Sequence, residues 1–379
     1  MKKTRAQHYI VSFDRPVLLA YLGLAFAGLL TMLDIASVQG TMAYFYKHLA
    51  FLGFSILTAI FILYFPNLER LKRLGPVLVY LSIALLVLVL LKGNTVKGGT
   101  RQISLGFLSF QPSFLARLAL VFFFAGYLER KNEVLNSLEI KTLFNEFLPL
   151  GVITIGIFVL IIVEKHLSTL IIGGSTLLGM LTYAGLRRRY VLLIAFLGLI
   201  VGIFILTHGD EYRMRRIEIY KKYNLFIRSE NVQVSSGEEY QVRESLTALS
   251  SGSLFGTGIA RGRAKHYYLP EARTDYIFTI IGEEFGFLGA IFVFGLHCLL
   301  FFRAFRIANH QESLYLRLLG AGVAMNIFFN ALVNVGVSIS ILPPTGNTLP
   351  FVSYGGSALL VDSIGVGVIL NISASRRYV

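Results

Sequence analysis

What most restricts this chain is the recurrence of predominantly apolar runs of about 17–25 residues, each the length a helix needs to cross a bilayer. They fall near residues 16–36, 48–65, 75–92, 112–128, 147–163, 167–185, 190–207, 276–302, 314–341 and 357–373. The expected fold is an all-α polytopic membrane protein with about ten transmembrane helices. One long extracytoplasmic loop, residues 208–275, lies between spans seven and eight, and residues 1–379 read as a single membrane-embedded domain. The least marked boundary is between spans five and six, where only Glu164, Lys165 and His166 interrupt the apolar sequence. A basic N-terminus ahead of Pro16–Leu33 is laid out like a signal peptide. The apolar core is long for one and many spans follow, so it reads as a retained first helix.

Charge sets the orientation. The net charge is +14, from 35 Lys and Arg against 21 Asp and Glu, a balance that in a soluble protein would raise nucleic acid as a partner. Here the charge sits in short segments between spans. With the N-terminus inside, those on the inner side hold eighteen Lys and Arg and the short outer loops hold five: Lys47, Lys92, Lys97, Arg101 and Lys165. That asymmetry is the positive-inside signature, which puts both termini in the cytoplasm and the long loop outside. The basic residues then serve orientation and contact with anionic membrane lipids rather than nucleic acid. Cys298 is the only cysteine, so no intrachain disulfide forms and no Cys-based metal site exists.

The long loop is too extended to be only a connection. Its first part, YRMRRIEIYKKYNLFI (212–227), spaces Met214, Ile217 and Tyr220 among basic residues, the pattern of a helix on the membrane surface. Its glycines, Gly252, Gly256, Gly258 and Gly262, follow no strand and so read as a flexible turn region rather than a dinucleotide loop. The loop ends in YYLPEARTDYIFTIIGEEFGFLG (267–289), which carries Asp275 into an apolar helix containing Glu283 and Glu284. Acids at membrane depth are costly and so tend to be functional. Asp275 is placed to cap that helix or to act as a base, and local sequence leaves both roles open. Adjacent helical positions differ by about 100°, so Glu283 and Glu284 are expected to face different surroundings.

Further along, Asn326, Asn330, Asn334 and Ser338 recur every fourth residue and form one polar stripe on span nine. It either hydrogen-bonds neighbouring helices or lines a polar cavity. LPPTGNTLPFVSYGGSA (342–358) is too rich in Pro and Gly for regular helix, and reads as a re-entrant loop buried in protein or lining a cavity. The backbone amides near Gly355 and Gly356 either bind phosphate oxygens or form a simple turn. Asp34, Arg117, Glu164, Asp275 and Asp362 all fall in the outer part of their spans, each snorkelling to the interface or sharing one outward cavity. No GxxxxGK[ST], DxD, HExxH or GxSxG motif is present, which disfavours an ATP-driven pump, the common metal-dependent glycosyltransferases and the simplest hydrolases.

These segments also carry a resemblance. LPPTGNTLPFVSYGGSA, KHYYLPEARTDYIFTIIGEEFG, FDRPVLLA (13–20), RQISLGFLSFQPS (101–113), the series Gln241, Ser245, Ala248, Gly252, Gly256, Gly258, and LNIS (370–373) follow one another over nearly the whole chain. Together they resemble the SEDS family of bacterial cell-wall polymerases (FtsW, RodA, SpoVE), leaning to the FtsW/SpoVE type. The resemblance implies an enzyme that polymerises lipid II, a disaccharide-pentapeptide on undecaprenyl pyrophosphate, into glycan strands for cell division or cell shape. It implies Asp275 as catalytic residue and a class B penicillin-binding transpeptidase as partner. Arg101, Arg117 and Lys265 become candidates to neutralise the pyrophosphate, with Glu271, Asn334 and Ser353 as further substrate contacts. No cofactor is required by this reading, although a divalent cation could share the pyrophosphate. A lipid II flippase and a non-catalytic scaffold for the transpeptidase are the competing readings. The chain departs from the family pattern at Gln102 (usually Trp), Phe114 (usually Glu), Lys165 (usually Pro), Arg273 (usually His) and Asn347 (usually aliphatic).

Overall fold

The computed structural model describes residues 9–96, 99–105, 108–135, 140–207, 211–224 and 237–378. Among the described residues, ten apolar helices form the bundle. α1 (Arg15–Gln39) starts at an Asp14 cap, whose carboxylate accepts the Val17 N–H (3.1 Å), with a proline in the first turn. Pro fits there because that N–H has no intrahelical partner to lose. α2 (Ala43–Leu63) returns across the bundle, and a 3₁₀ turn (Leu68–Arg73) leads into α3 (Leu74–Lys92). An outer three-stranded sheet follows, β2 (Asn94–Val96), β3 (Gly99–Leu105) and β4 (Leu108–Phe110). Before it, β1 (Tyr9–Ser12) pairs antiparallel with β5 (Ser375–Tyr378), which holds the two ends of the chain side by side on one face. These short pairs are set by loop geometry, and no long alternating pattern in the sequence announces them.

α4 (Pro112–Arg130) and the short α5 (Asn132–Leu135) precede α6 (Ile140–Val163) and α7 (Leu167–Tyr183). The division expected at Glu164–His166 is present. Lys165 takes a left-handed conformation (φ 61°), and the His166 N–H returns to the Ile161 carbonyl (3.2 Å), closing α6 in a tight turn. α8 (Arg188–Thr207) is the peripheral helix, with no buried residue in its apolar stretch, whereas α4, α12 (Leu314–Ser338) and α13 (Gly356–Ser373) form the buried centre. Nine helices meet the length and apolarity of a membrane span among the described residues, and α7 is a shorter tenth.

The outer loop folds back onto the protein. α9 (Glu211–Tyr223) is the expected helix, with Met214 exposed and open to a lipid surface, but Ile219 is buried against the protein. Tyr220 and Asn224 instead donate to the carbonyls of Ile341 and Ser340 (3.1 Å each), and Arg216 and Lys222 pair with Glu238 (3.1 Å) and Glu239 (2.7 Å) of α10 (Gly237–Gly252). The hydrogen bond from Lys222 to Glu239 holds that ammonium above the ordinary lysine range. Residues 225–227 of the expected surface helix lie outside the described residues.

Candidate functional site at a broken helix

α11 (Ile277–Asn309) is two helical segments joined at Gly286, whose backbone (φ 68°, ψ −168°) is not helical. Breaking a helix at membrane depth frees carbonyls and N–H groups that must be satisfied by protein. The glycine series supplies the partners. Thr257 and Gly258 donate to the carbonyls of Glu283 (2.9 Å) and Glu284 (3.1 Å), while Phe287 and Leu288 donate to those of Ser253 (2.9 Å) and Leu254 (3.2 Å). A Cβ on Gly286 would lie 2.3 Å from the Gly256 nitrogen, so the two backbones meet only because both residues are glycines. The flexible-turn reading of residues 252–262 is therefore corrected: this segment is clamped to the helix break.

Both glutamates face the same segment, contrary to the expectation of separate surroundings. Glu283 accepts the N–H groups of Arg263 (2.7 Å) and Ala264 (3.1 Å). Glu284 accepts the Gly262 N–H (3.3 Å) and pairs with Lys265, whose ammonium also lies 2.5 Å from Asp34 of α1. The loop wraps over the helix end closely enough to present backbone donors to one carboxylate and a cation to the other. A single π turn, Ala264–Tyr268, then carries the chain toward Asp275.

Asp275 itself stands just outside α11. The carbonyl of Glu271, a residue held at φ 57°, accepts the N–H groups of Thr274 (3.1 Å), Asp275 (3.1 Å) and Tyr276 (3.3 Å), which closes the turn. Tyr276 occupies the helix cap position and makes no side-chain cap bond. Two of the expected substrate contacts hold this turn from behind. Asn334 donates to the carbonyls of Asp275 (3.0 Å) and Asn347 (2.5 Å), and Ser353 donates to the carbonyl of Thr274 (2.6 Å) while accepting the Leu349 N–H (2.8 Å). Within the polar stripe of α12, Asn330 donates to Asp362 of α13 (3.4 Å), Asn334 holds two loop carbonyls and Ser338 donates to the Asn334 carbonyl of its own helix, while Asn347, a departure from the family pattern, donates to the Asn330 carbonyl (3.1 Å). The 342–358 loop is re-entrant as expected, with Leu349, Phe351 and Val352 buried and Gly355–Gly356 opening α13. Its backbone passes so near α1 that a Cβ on Gly28 would lie 2.8 Å from the Val352 carbonyl oxygen.

A cavity of about 470 Å³ opens beside the carboxyl-bearing turn, lined by Arg215, Arg216, Gln241, Asp275, Tyr276 and Pro344 among others. The Tyr276 hydroxyl is buried with no hydrogen-bond partner among the described residues. Arg215 and Arg216 were not singled out from the sequence, because they are two of eleven Lys and Arg in residues 208–275 and nothing local marks them out.

The three expected phosphate cations are placed elsewhere. Arg101 donates to the carbonyls of Glu164 (3.2 Å) and Lys165 (2.5 Å) and so closes the end of α6. Lys265 is committed to Asp34 and Glu284. Arg117 is buried inside α4, with its guanidinium 5.5 Å from the Phe114 ring centre and the Asp362 carboxylate of α13 acting on it. Its nitrogens have no hydrogen-bond partner among the described residues. Charges drawn from water this far need a counter-charge or a polarisable face nearby, and each of the three has found one. Asp34 is buried in the ion pair with Lys265, Asp362 and Glu164 are buried near Arg117 and Arg101, and Asp275 lines the cavity, so the first three do not snorkel and these groups do not share one outward chamber with Asp275. Among the other departures, Gln102 sits on β3 opposite Asn94, and Arg273 stacks on the Tyr44 ring at 3.8 Å.

Ten apolar helices among the described residues, one of them broken, and a carboxylate that opens onto a cavity flanked by arginines define a polytopic membrane protein with a candidate site toward one end of its bundle. The chain belongs to the FtsW/RodA/SpoVE family of cell cycle proteins, whose model matches residues 12–378. It is 32% identical to a probable peptidoglycan glycosyltransferase FtsW of Alcanivorax borkumensis, over 96% of this chain and 94% of that one. It is 33% identical to the stage V sporulation protein E of Bacillus subtilis, over 88% and 87%. Its fold matches a chain from a study of how a peptidoglycan synthase complex coordinates polymerization and crosslinking, with TM-score 0.75 and 26% identity over 96% and 98% of the two chains. The rod shape determining protein RodA of Thermus thermophilus shares the fold, with TM-score 0.68.

Proposed function

We propose that this protein is a peptidoglycan glycosyltransferase that polymerises lipid II outside the cytoplasmic membrane, with Asp275 as its catalytic base. Family membership and the names of the relatives support the activity. The observation that carries the residue is the position of Asp275 on the cavity wall, with its backbone fastened by Asn334. Inverting transfer breaks the bond between the donor sugar and its pyrophosphate as the acceptor 4-hydroxyl attacks. Asp275 accepts the proton of that hydroxyl, and because a carboxylate is a weak base for it, the transfer comes late, as the new bond forms. The departing pyrophosphate gathers negative charge, and the cations on the same cavity wall are Arg215 and Arg216.

Glu238 lines the same cavity as Asp275 but is paired with Arg216 (3.1 Å), so a divalent cation brought by the pyrophosphate would have to compete with that ion pair for Glu238. The undecaprenyl tail lies against apolar helix faces, and a class B penicillin-binding transpeptidase is the proposed partner. The proposed location is the bacterial inner membrane with both termini cytoplasmic, supported by the lysine and arginine distribution and by the pairing of β1 with β5.

The test is polymerisation of lipid II by the purified protein, with and without its transpeptidase. Loss of polymer in Asp275→Ala with the fold intact supports the enzyme. Flipping of labelled lipid II by the same variant, with no polymer from wild type, would instead establish a transporter. Neither polymer nor flipping from wild type with its partner would establish a scaffold.

A further inference from the structure

A second cavity, of about 540 Å³, opens at the opposite end of the bundle. It is walled by the 3₁₀ turn Leu68–Arg73, the start of α3, the end of α4 and the start of α12. Tyr315 in its lining and Val337 beside Asp275 lie near the two ends of α12, about 33 Å apart at 1.5 Å per residue. The cleft is therefore on the face that carries the chain ends, and it takes no part in the site described above.

Its chemistry is that of an anion site. Lys72 and Glu129 neutralise one another within it. Arg73 is exposed at its mouth, with no hydrogen-bond or ion-pair partner among the described residues. Arg130 is anchored by its Nε on the Gly126 carbonyl (3.2 Å) and by its guanidinium over the Tyr127 ring (5.7 Å), and it has no ion-pair partner among the described residues. Against these two guanidinium groups stands one further acid, Glu69. The decisive group is Tyr315. It is 1% exposed, it lines the cleft, and its hydroxyl has no partner among the described residues. A buried hydroxyl left without a partner costs free energy, so an acceptor oxygen arriving in the cleft removes a penalty as well as adding a bond.

The surroundings point to the source of that oxygen. Pro76 lines the cleft, and Tyr80 stands one helical turn further into the membrane on the same face of α3. Tyr80 is 65% exposed, and Val77 and Leu81 beside it are 58% and 48% exposed, so an apolar strip runs from the cleft toward the bilayer centre. A soluble anion makes no use of that strip, whereas a phospholipid lays its acyl chains along it.

We propose that this cleft binds the phosphodiester headgroup of an anionic phospholipid, with Arg73 and Arg130 on the phosphate and the Tyr315 hydroxyl donating to one of its oxygens. Basic pockets between transmembrane helices suit such headgroups.

The experiment is native mass spectrometry of the full chain released from neutral detergent, titrated with phosphatidylglycerol, phosphatidylcholine or glycerol phosphate. Wild type is expected to retain phosphatidylglycerol at least tenfold better than phosphatidylcholine. Arg73→Gln/Arg130→Gln is expected to lose most of that preference, and Tyr315→Phe part of it. Arg188→Gln/Arg189→Gln removes two charges elsewhere and is expected to keep it. Melting temperatures without lipid verify that each variant is folded. Equal retention by the two double variants would overturn the site. Binding of glycerol phosphate as tight as that of the lipid would overturn the lipid assignment.

Discussion

The ammonium of Lys265 lies 2.5 Å from the Asp34 carboxylate, a contact between residues 231 positions apart that fastens the Asp275 loop to α1. The same ammonium meets Glu284 on α11, so one cation holds loop, first helix and broken helix together.

Removing that cation leaves two buried carboxylates facing each other. Lys265→Met is expected to cost roughly 3–5 kcal/mol, as broken buried ion pairs do. The triple variant Asp34→Asn/Lys265→Met/Glu284→Gln removes all three charges and is expected to recover a large part of the loss. Thermal unfolding in detergent measures both. A triple variant no better than the single one would show that the cluster does not act as a charge unit.

The helix break makes a separate demand. Alanine at Gly286 must adopt φ 68° and place a Cβ 2.3 Å from the Gly256 nitrogen. At ψ −168° this backbone lies in a region essentially reserved for glycine, which costs another residue roughly 1–3 kcal/mol, and the backbone collision adds to it. Gly286→Ala is expected to lower the melting temperature clearly, whereas Gly295→Ala, with open space at its Cβ, is expected to leave it unchanged or raise it.

Tyr276 separates stability from function. Its buried hydroxyl has no partner among the described residues, so Tyr276→Phe is expected to keep or slightly raise the melting temperature. If that hydroxyl meets the substrate in the cavity, polymer formation falls about tenfold, the worth of roughly 1.4 kcal/mol of transition-state binding. An unchanged rate would confine Tyr276 to packing.

Asn334 holds Asp275 through its backbone carbonyl and touches the 342–358 loop with the same amide nitrogen. Asn334→Ala is expected to reduce turnover up to about 100-fold, the cost of a catalytic group displaced by about 1 Å. Stability is expected to fall by about 1–3 kcal/mol for the unsatisfied carbonyls. Single-turnover assays at saturating lipid II distinguish this from weakened binding.

What was legible in the sequence follows the range of the interactions. Apolar run lengths and the lysine and arginine asymmetry are local quantities, and the ten helices and the shared face of the two chain ends could be read from them. The re-entrant loop was legible for the same reason, since Pro and Gly exclude regular helix locally. The glycine clamp was not, because nothing in GEEFG announces that the backbone of residues 253–258 will complete a helix broken at Gly286. The cations went astray for a related reason. Arg101 and Lys265 are satisfied by carbonyls and carboxylates that only the fold brings near, Arg117 is buried against the Phe114 ring with Asp362 near it, and Arg215 and Arg216 reach the cavity because α9 packs against the protein.

The most direct test of the central claim is the rate of lipid II polymerisation by purified Asp275→Asn protein beside its melting temperature. The side chain of Asp275 is not in the cap position of α11, and Asn nearly matches Asp in shape, so the melting temperature is expected to stay within a few degrees of wild type. Polymer is expected to fall below detection. Polymerisation at the wild-type rate by a folded Asp275→Asn protein would contradict the assignment of Asp275 as the base.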